Sequence, residues 1–189
     1  MADAAPPSFF TVMATGQLES GDIPDCDTAY CKFEVVTGED WQLLDGMETG
    51  ITQVLNSAGP DRMLVWNFPL DVTYKSTNAF GWPQVVVSVY GVDAWGRDVV
   101  KGYGSMHLPT CPGRYELCVR LYRPRSASLL QTFLSWLTGM PAEFADPRFP
   151  AYGPGREVTR VVSSGSVNIQ VNLLTKARTW TGHGDFWLF

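Results

Sequence analysis

The sequence predicts an all-β protein, a sandwich of two packed antiparallel sheets with one short helix. Three observations predict it. Apolar residues recur at every second position through most of the chain, the period of a strand with one buried and one wet face. Clusters of Gly, Pro, Asp, Asn and Ser punctuate these runs at short intervals, as in sandwiches. The helical period of 3.6 is convincing only once.

Taken in order, Phe10, Val12 and Ala14 alternate with Phe9, Thr11 and Met13. Cys31, Phe33 and Val35 form the inner face of a second run. Val72 and Tyr74 alternate with Asp71, Thr73 and Lys75. Val85, Val87 and Val89 face one way, and Gln84, Val86, Ser88 and Tyr90 the other. Tyr115, Leu117, Val119 and Leu121 alternate with Glu116, Cys118, Arg120 and Tyr122. The clearest run sets Val167, Ile169, Val171 and Leu173 against Ser166, Asn168, Gln170 and Asn172. Turn material is read at Ser20-Gly21-Asp22, Gly38 to Asp40, Asn78 to Pro83, Gly91 to Gly96, Pro109 to Gly113 and Ser163-Ser164-Gly165. Ser128 opens the helix, with Gln131 placed for a capping box and Leu130, Phe133, Leu134 and Leu137 as its stripe. Gly139 and Pro141 stop it. The stretch from Pro141 to Gly155 reads as a long ordered loop, anchored by Phe144, Phe149 and Tyr152.

The chain has 189 residues, 45% of them hydrophobic and 17% charged, which suits one domain with a core of its own. A net charge of −5 argues against nucleic acid as the partner, since such binders carry a basic face for phosphate. The start, Met1 to Pro7, has no basic or apolar leader pattern, and no apolar run is long enough to span a bilayer. A cytoplasmic site is the expectation.

A search for chemistry points away from an enzyme. The only histidines are His107 and His183, and no nucleophile-elbow motif accompanies them. Gly102-Tyr103-Gly104 lacks the third glycine and following helix of a dinucleotide fingerprint, so it reads as close backbone approach within strands. The four cysteines, Cys26, Cys31, Cys111 and Cys118, lack zinc-module spacing and read as reduced small hydrophobes. Asp22, Asp25, Asp27, Asp93 and Asp98 read as turn residues, not as a calcium shell, which needs six to eight converging oxygens. No catalytic residue, metal ligand or cofactor is assigned.

Two binding surfaces remain as candidates. Arg114, Arg120, Arg123 and Arg125 gather around one strand and could meet anionic lipid. Trp136 beside the helix stripe, and Phe186, Trp187 and Phe189 in an aromatic ending, are candidate protein-binding anchors, the ending alternatively packing on its own sandwich.

Four stretches carry a resemblance. They are Leu64-Val-Trp-Asn-Phe-Pro-Leu-Asp-Val-Thr-Tyr-Lys-Ser-Thr-Asn78, Gly81-Trp-Pro-Gln-Val-Val-Val-Ser-Val-Tyr-Gly91, Asp98-Val-Val-Lys-Gly-Tyr-Gly104 and Gly155-Arg-Glu-Val-Thr-Arg160. Together they resemble the B9 domain family, over about Phe9 to Lys176. The resemblance implies a C2-like β-sandwich over 9–176; residues 1–8 read as a flexible start, and the aromatic tail (177–189) departs from the family's pattern, which leaves its role open. It implies a non-enzymatic scaffold subunit at the transition zone and basal body of cilia and flagella, supporting cilium assembly and gating of ciliary membrane proteins. Implied partners are B9 domain-containing protein 2, the Meckel syndrome type 1 protein and tectonic-type membrane proteins. The alternative is a peripheral C2-type module on anionic membrane lipid. The paired Asp-x-Asp loops of calcium-binding C2 domains are missing from Asp93 to Asp98, so no metal site carries over.

Overall fold

The computed structural model describes residues 9–24, 26–57, 63–92, 96–124, 148, 151 and 160–178. Among these lie ten strands: β1 (Phe9–Asp22), β2 (Thr28–Val36), β3 (Trp41–Gly46), β4 (Thr49–Ile51) and β5 (Leu55–Asn56), then β6 (Met63–Ser76), β7 (Gln84–Val92), β8 (Asp98–His107), β9 (Gly113–Pro124) and β10 (Val161–Arg178). Their order is β3-β6-β1-β10-β9-β8-β7-β2-β4, with β5 beside β2. The paired strands run antiparallel.

This path has one seam. β8 and β9 share a single ladder pair, Tyr103 with Tyr122. There the sheet folds over, so β3-β6-β1-β10-β9 forms one layer and β8-β7-β2-β4 the other. Trp66 Nε1 of β6 donates to the Ala29 carbonyl of β2 at 3.4 Å, and Phe33 of β2 lies 5.9 Å from Phe68 of β6. The crossover from β3, which pairs with β6, to β4, which pairs with β2, closes the opposite side: Met47 N–H donates to the Asp71 carbonyl at 3.1 Å, and Val35 N–H donates to the Glu48 carbonyl at 2.7 Å.

The alternation places the core. Val12, Ala14 and Leu18 of β1, Val167 to Leu173 of β10 at every second residue, and Leu64, Trp66, Leu70, Val72 and Tyr74 of β6 point inward from one layer. Cys31, Phe33, Val35, Val85, Val87 and Val89 meet them from the other. Each fully buried large side chain contributes roughly 1.5–3 kcal/mol. One end is sealed by aromatic rings: Trp41 sits 5.2 Å from Trp82 and 5.4 Å from Phe10, edge to face in both cases. Both indole N–H groups find carbonyls, Trp41 on Phe80 at 2.8 Å and Trp82 on Leu108 at 2.9 Å.

Several sequence expectations are corrected. Ser20 to Asp22 and Ser163 to Gly165 are not turns. β1 and β10 run through them, each with a register shift that absorbs an extra residue. A bulge and a turn use the same small, polar residues, which is why the two look alike in sequence. β7 is not wet on one side, since Val86 and Ser88 are buried as well. Two residues of the long connection meet the chain there: the Gln84 side chain donates to the Ala151 carbonyl at 3.2 Å, and Arg148 Nε donates to Glu34 at 2.8 Å. Cys26 and Cys31 are buried as expected, but Cys111 and Cys118 are exposed. The helix expected from Ser128, most of the loop from Pro141 to Gly155, and the tail beyond Arg178 lie outside the described residues.

Candidate functional site

Two bulges face one another across the seam. In the β7–β8 ladder Val89 pairs with Gly102 and Tyr90 with Val100, which leaves Lys101 outside the pairing. In the β9–β10 ladder Ser163 pairs with Tyr122 and Gly165 with Leu121, which leaves Ser164 outside. Bulges re-aim side chains in this way and often sit at sites of function. Here they open a cleft of about 500 Å³ whose lining includes Asp22, Lys101, Arg120, Arg123, Ser164 and Ser166.

Glycines make the close approach possible. A Cβ on Gly102 would strike Ser164 Oγ and come within 2.9 Å of Leu121 Cβ. A Cβ on Gly104 would come within 2.8 Å of the Arg120 carbonyl. The Gly-Tyr-Gly segment thus serves close strand packing, as the sequence suggested.

The cleft is cationic. Arg120 and Arg123 are exposed and Lys101 is half-buried. None of the three makes an ion pair or side-chain hydrogen bond with any described residue. Asp22, on the same rim, is the one carboxylate of the lining. Ser164 Oγ is the one buried side-chain polar atom among the described residues that lacks a hydrogen-bond partner. Such an orphaned hydroxyl costs about 1–3 kcal/mol unless a ligand or water satisfies it.

The four arginines expected to act together are therefore divided. Arg120 and Arg123 share the cleft, while Arg114 lies toward the other end of β9, opposite Asn172, with its guanidinium 3.4 Å from the Gln170 side chain. Arg125, Trp136, Phe186, Trp187 and Phe189 fall outside the described residues. Sequence reasoning missed Lys101 and Ser164. Their signal was faint: a lysine and a serine each next to a glycine inside an otherwise alternating run.

A second surface is apolar. β3 and β4 stand at the two ends of the strand order, and the crossover that joins them exposes Leu44 (52%), Met47 (60%) and Ile51 (58%), with Val54 (53%) just beyond. An edge strand with exposed large apolar side chains is a template for another chain. Beneath this crossover Tyr74 donates its hydroxyl to Glu48 at 3.1 Å, and burial, then the Glu48 charge, push the phenol well above its ordinary range.

Among the described residues no three His, Cys, Asp or Glu side chains converge as a metal shell. No helix among them is long and apolar enough to cross a membrane.

Comparison with known families decides the relationship. The family model described as "B9-C2: Ciliary basal body-associated, B9 protein" matches residues 12–174. The chain belongs to the B9 family. B9 domain-containing protein 1 of Xenopus laevis is 49% identical over 174 residues, covering 92% of this chain and 88% of that one. The Homo sapiens protein of the same name is 50% identical, covering 91% and 85%. B9 domain-containing protein 2 of Bos taurus is 31% identical, covering 86% and 88%. Among solved structures, the C2A domain of plant extended synaptotagmin 1 aligns with a TM-score of 0.40 at 14% identity, covering 93% of this chain and 98% of that one. The B9 match spans every strand from β2 to β9 and most of β1 and β10.

Proposed function

We propose that this B9 protein is a non-enzymatic scaffold subunit of the ciliary transition-zone complex, where it supports cilium assembly and the gating of membrane proteins. The observation that carries this reading is the match of 12–174 to a family described as associated with the ciliary basal body. Its partners in this reading are B9 domain-containing protein 2, the Meckel syndrome type 1 protein and, through the larger complex, tectonic-type membrane proteins. The apolar β3–β4 crossover supports it physically, because Leu44, Met47 and Ile51 gain from burial against a partner. The tail residues Phe186, Trp187 and Phe189, with Trp136, are further anchors of the same proposal.

The test is placement and consequence in a ciliated cell. A fluorescent fusion should concentrate in a narrow band between basal body and axoneme, and its depletion should let excluded membrane proteins into the cilium. Diffuse signal with unchanged ciliary membrane content would reject the reading. A second reading, contact with anionic lipid, is favoured by Lys101, Arg120 and Arg123, which pair with none of the described residues.

A further inference from the structure

The cleft at the seam has the charge, size and donors for a specific kind of anion. Lys101, Arg120 and Arg123 supply three positive charges, and Asp22 removes one. The remaining balance of about two matches a phosphomonoester, which carries about −1.5 to −2 at pH 7. A diester or a carboxylate offers only half that. Two guanidinium groups suit phosphate oxygens by their planar fork of donors, and the lysine adds a point charge. Ser164 brings a buried hydroxyl with no partner of its own, which a phosphate oxygen would satisfy. The volume of about 500 Å³ exceeds that of a bare phosphate and lies within the usual range for small-molecule sites, about 300–1,000 Å³.

The site is also built, not incidental. Lys101 and Ser164 reach the cleft because each is the extra residue of a bulge, one in β8 and one in β10. Gly165, at φ +134, lets β10 lie against the Asp22 carbonyl where a side chain would collide. Without both bulges the two residues would return to the ladder.

We propose that this cleft binds a dianionic phosphomonoester on a small polar carrier, with Arg120, Arg123 and Lys101 as its charged contacts and Ser164 as a neutral donor. The carrier is either the phosphorylated headgroup of a membrane lipid or a soluble phosphate ester of the same chemistry. This deepens the lipid-contact reading and is independent of the scaffold reading.

The test uses the full chain and three probes: soluble inositol trisphosphate, vesicles of phosphatidylcholine doped with a phosphorylated inositol lipid, and vesicles doped with phosphatidylserine, which has no phosphomonoester. The variants are Arg120→Gln with Arg123→Gln, Ser164→Ala, and Arg114→Gln as a control of equal charge per site outside the cleft. Calorimetric titration should show binding of the trisphosphate or of the phosphoinositide vesicles. The double variant should weaken it ~10-fold or more, the loss of at least one charge-assisted hydrogen bond, and Arg114→Gln less than about 2-fold. Thermal melts of each variant confirm that it folds. Binding of the soluble probe alone assigns a free ester, and binding of phosphoinositide vesicles alone a lipid. Equal binding of phosphatidylserine vesicles, weakened as much by Arg114→Gln as by the double variant, would overturn the cleft while leaving the lipid reading intact. No binding to any probe would remove both.

Discussion

Gly81 and Gly38 are pressed backbone to backbone. A Cβ on Gly81 would stand 2.5 Å from the Gly38 Cα, and Gly38 N–H donates to the Gly81 carbonyl at 2.9 Å. Gly81 also takes φ +69, a left-handed conformation that any side chain resists. This contact holds the turn that feeds Trp82 into the aromatic end of the sandwich. It gives the Gly-Trp-Pro-Gln string its physical meaning.

Gly81→Ala should therefore destabilise the fold. The conformation costs about 1–2 kcal/mol and the contact with Gly38 adds to it. At about 2–4 °C per kcal/mol for a chain of this length, the melting temperature should fall by at least ~2 °C. A melt indistinguishable from wild type would show that the loop shifts without cost.

Trp82 should separate packing from hydrogen bonding. Trp82→Phe keeps a ring near Trp41 but leaves the Leu108 carbonyl without its indole donor, at a cost of about 1–3 kcal/mol. Trp82→Ala empties the end of the core and should cost about 3–5 kcal/mol. Urea titration of both proteins measures the difference. Equal losses would mean that the hydrogen bond, not the ring, holds this end.

The thiols should divide by burial. Burial pushes the Cys31 thiol up to about 12 from an ordinary value of 9.0. At pH 8 a maleimide should label Cys111 and Cys118, both exposed, and leave Cys31 untouched until the protein unfolds. Peptide mass mapping reads this directly. Labelling of Cys31 at the rate of Cys118 would contradict the burial.

Alkaline stability has a definite sign. The folded state holds the Cys31 proton more tightly than the unfolded chain. Its contribution is complete below the unfolded value near 9 and is lost as pH rises toward 12. Tyr74 and Tyr30, both raised chiefly by burial, act in the same direction at higher pH. The urea midpoint should fall between pH 8 and pH 10.5, and Cys31→Val should make that fall shallower. A midpoint that rises with pH would refute the assignment.

Much of the fold was legible in sequence because burial and period coincide. Val167, Ile169, Val171 and Leu173 read as an inner face and are one. Legibility failed where one residue type serves two geometries. Ser163-Ser164-Gly165 has turn chemistry, and only its register with β9 shows a bulge. β3 and β4 were missed because their exposed Leu43, Leu44 and Ile51 follow no buried alternation. The cleft was half visible. Arg120 and Arg123 stood out as charges, but Lys101 joins them across the seam, through a fold that no local pattern encodes.

The central claim is that this chain works by assembling with B9 relatives. Its most direct test is co-expression with B9 domain-containing protein 2, followed by size-exclusion chromatography with mass measurement. Wild-type protein, a chain ending at Arg178 and the variant Leu44→Lys with Ile51→Lys are compared. The surface substitutions should change stability by no more than about 0.5 kcal/mol each. Wild type should co-elute in a fixed ratio, and at least one of the two altered chains should elute alone. Separate elution of the two wild-type proteins at micromolar concentration would contradict the account.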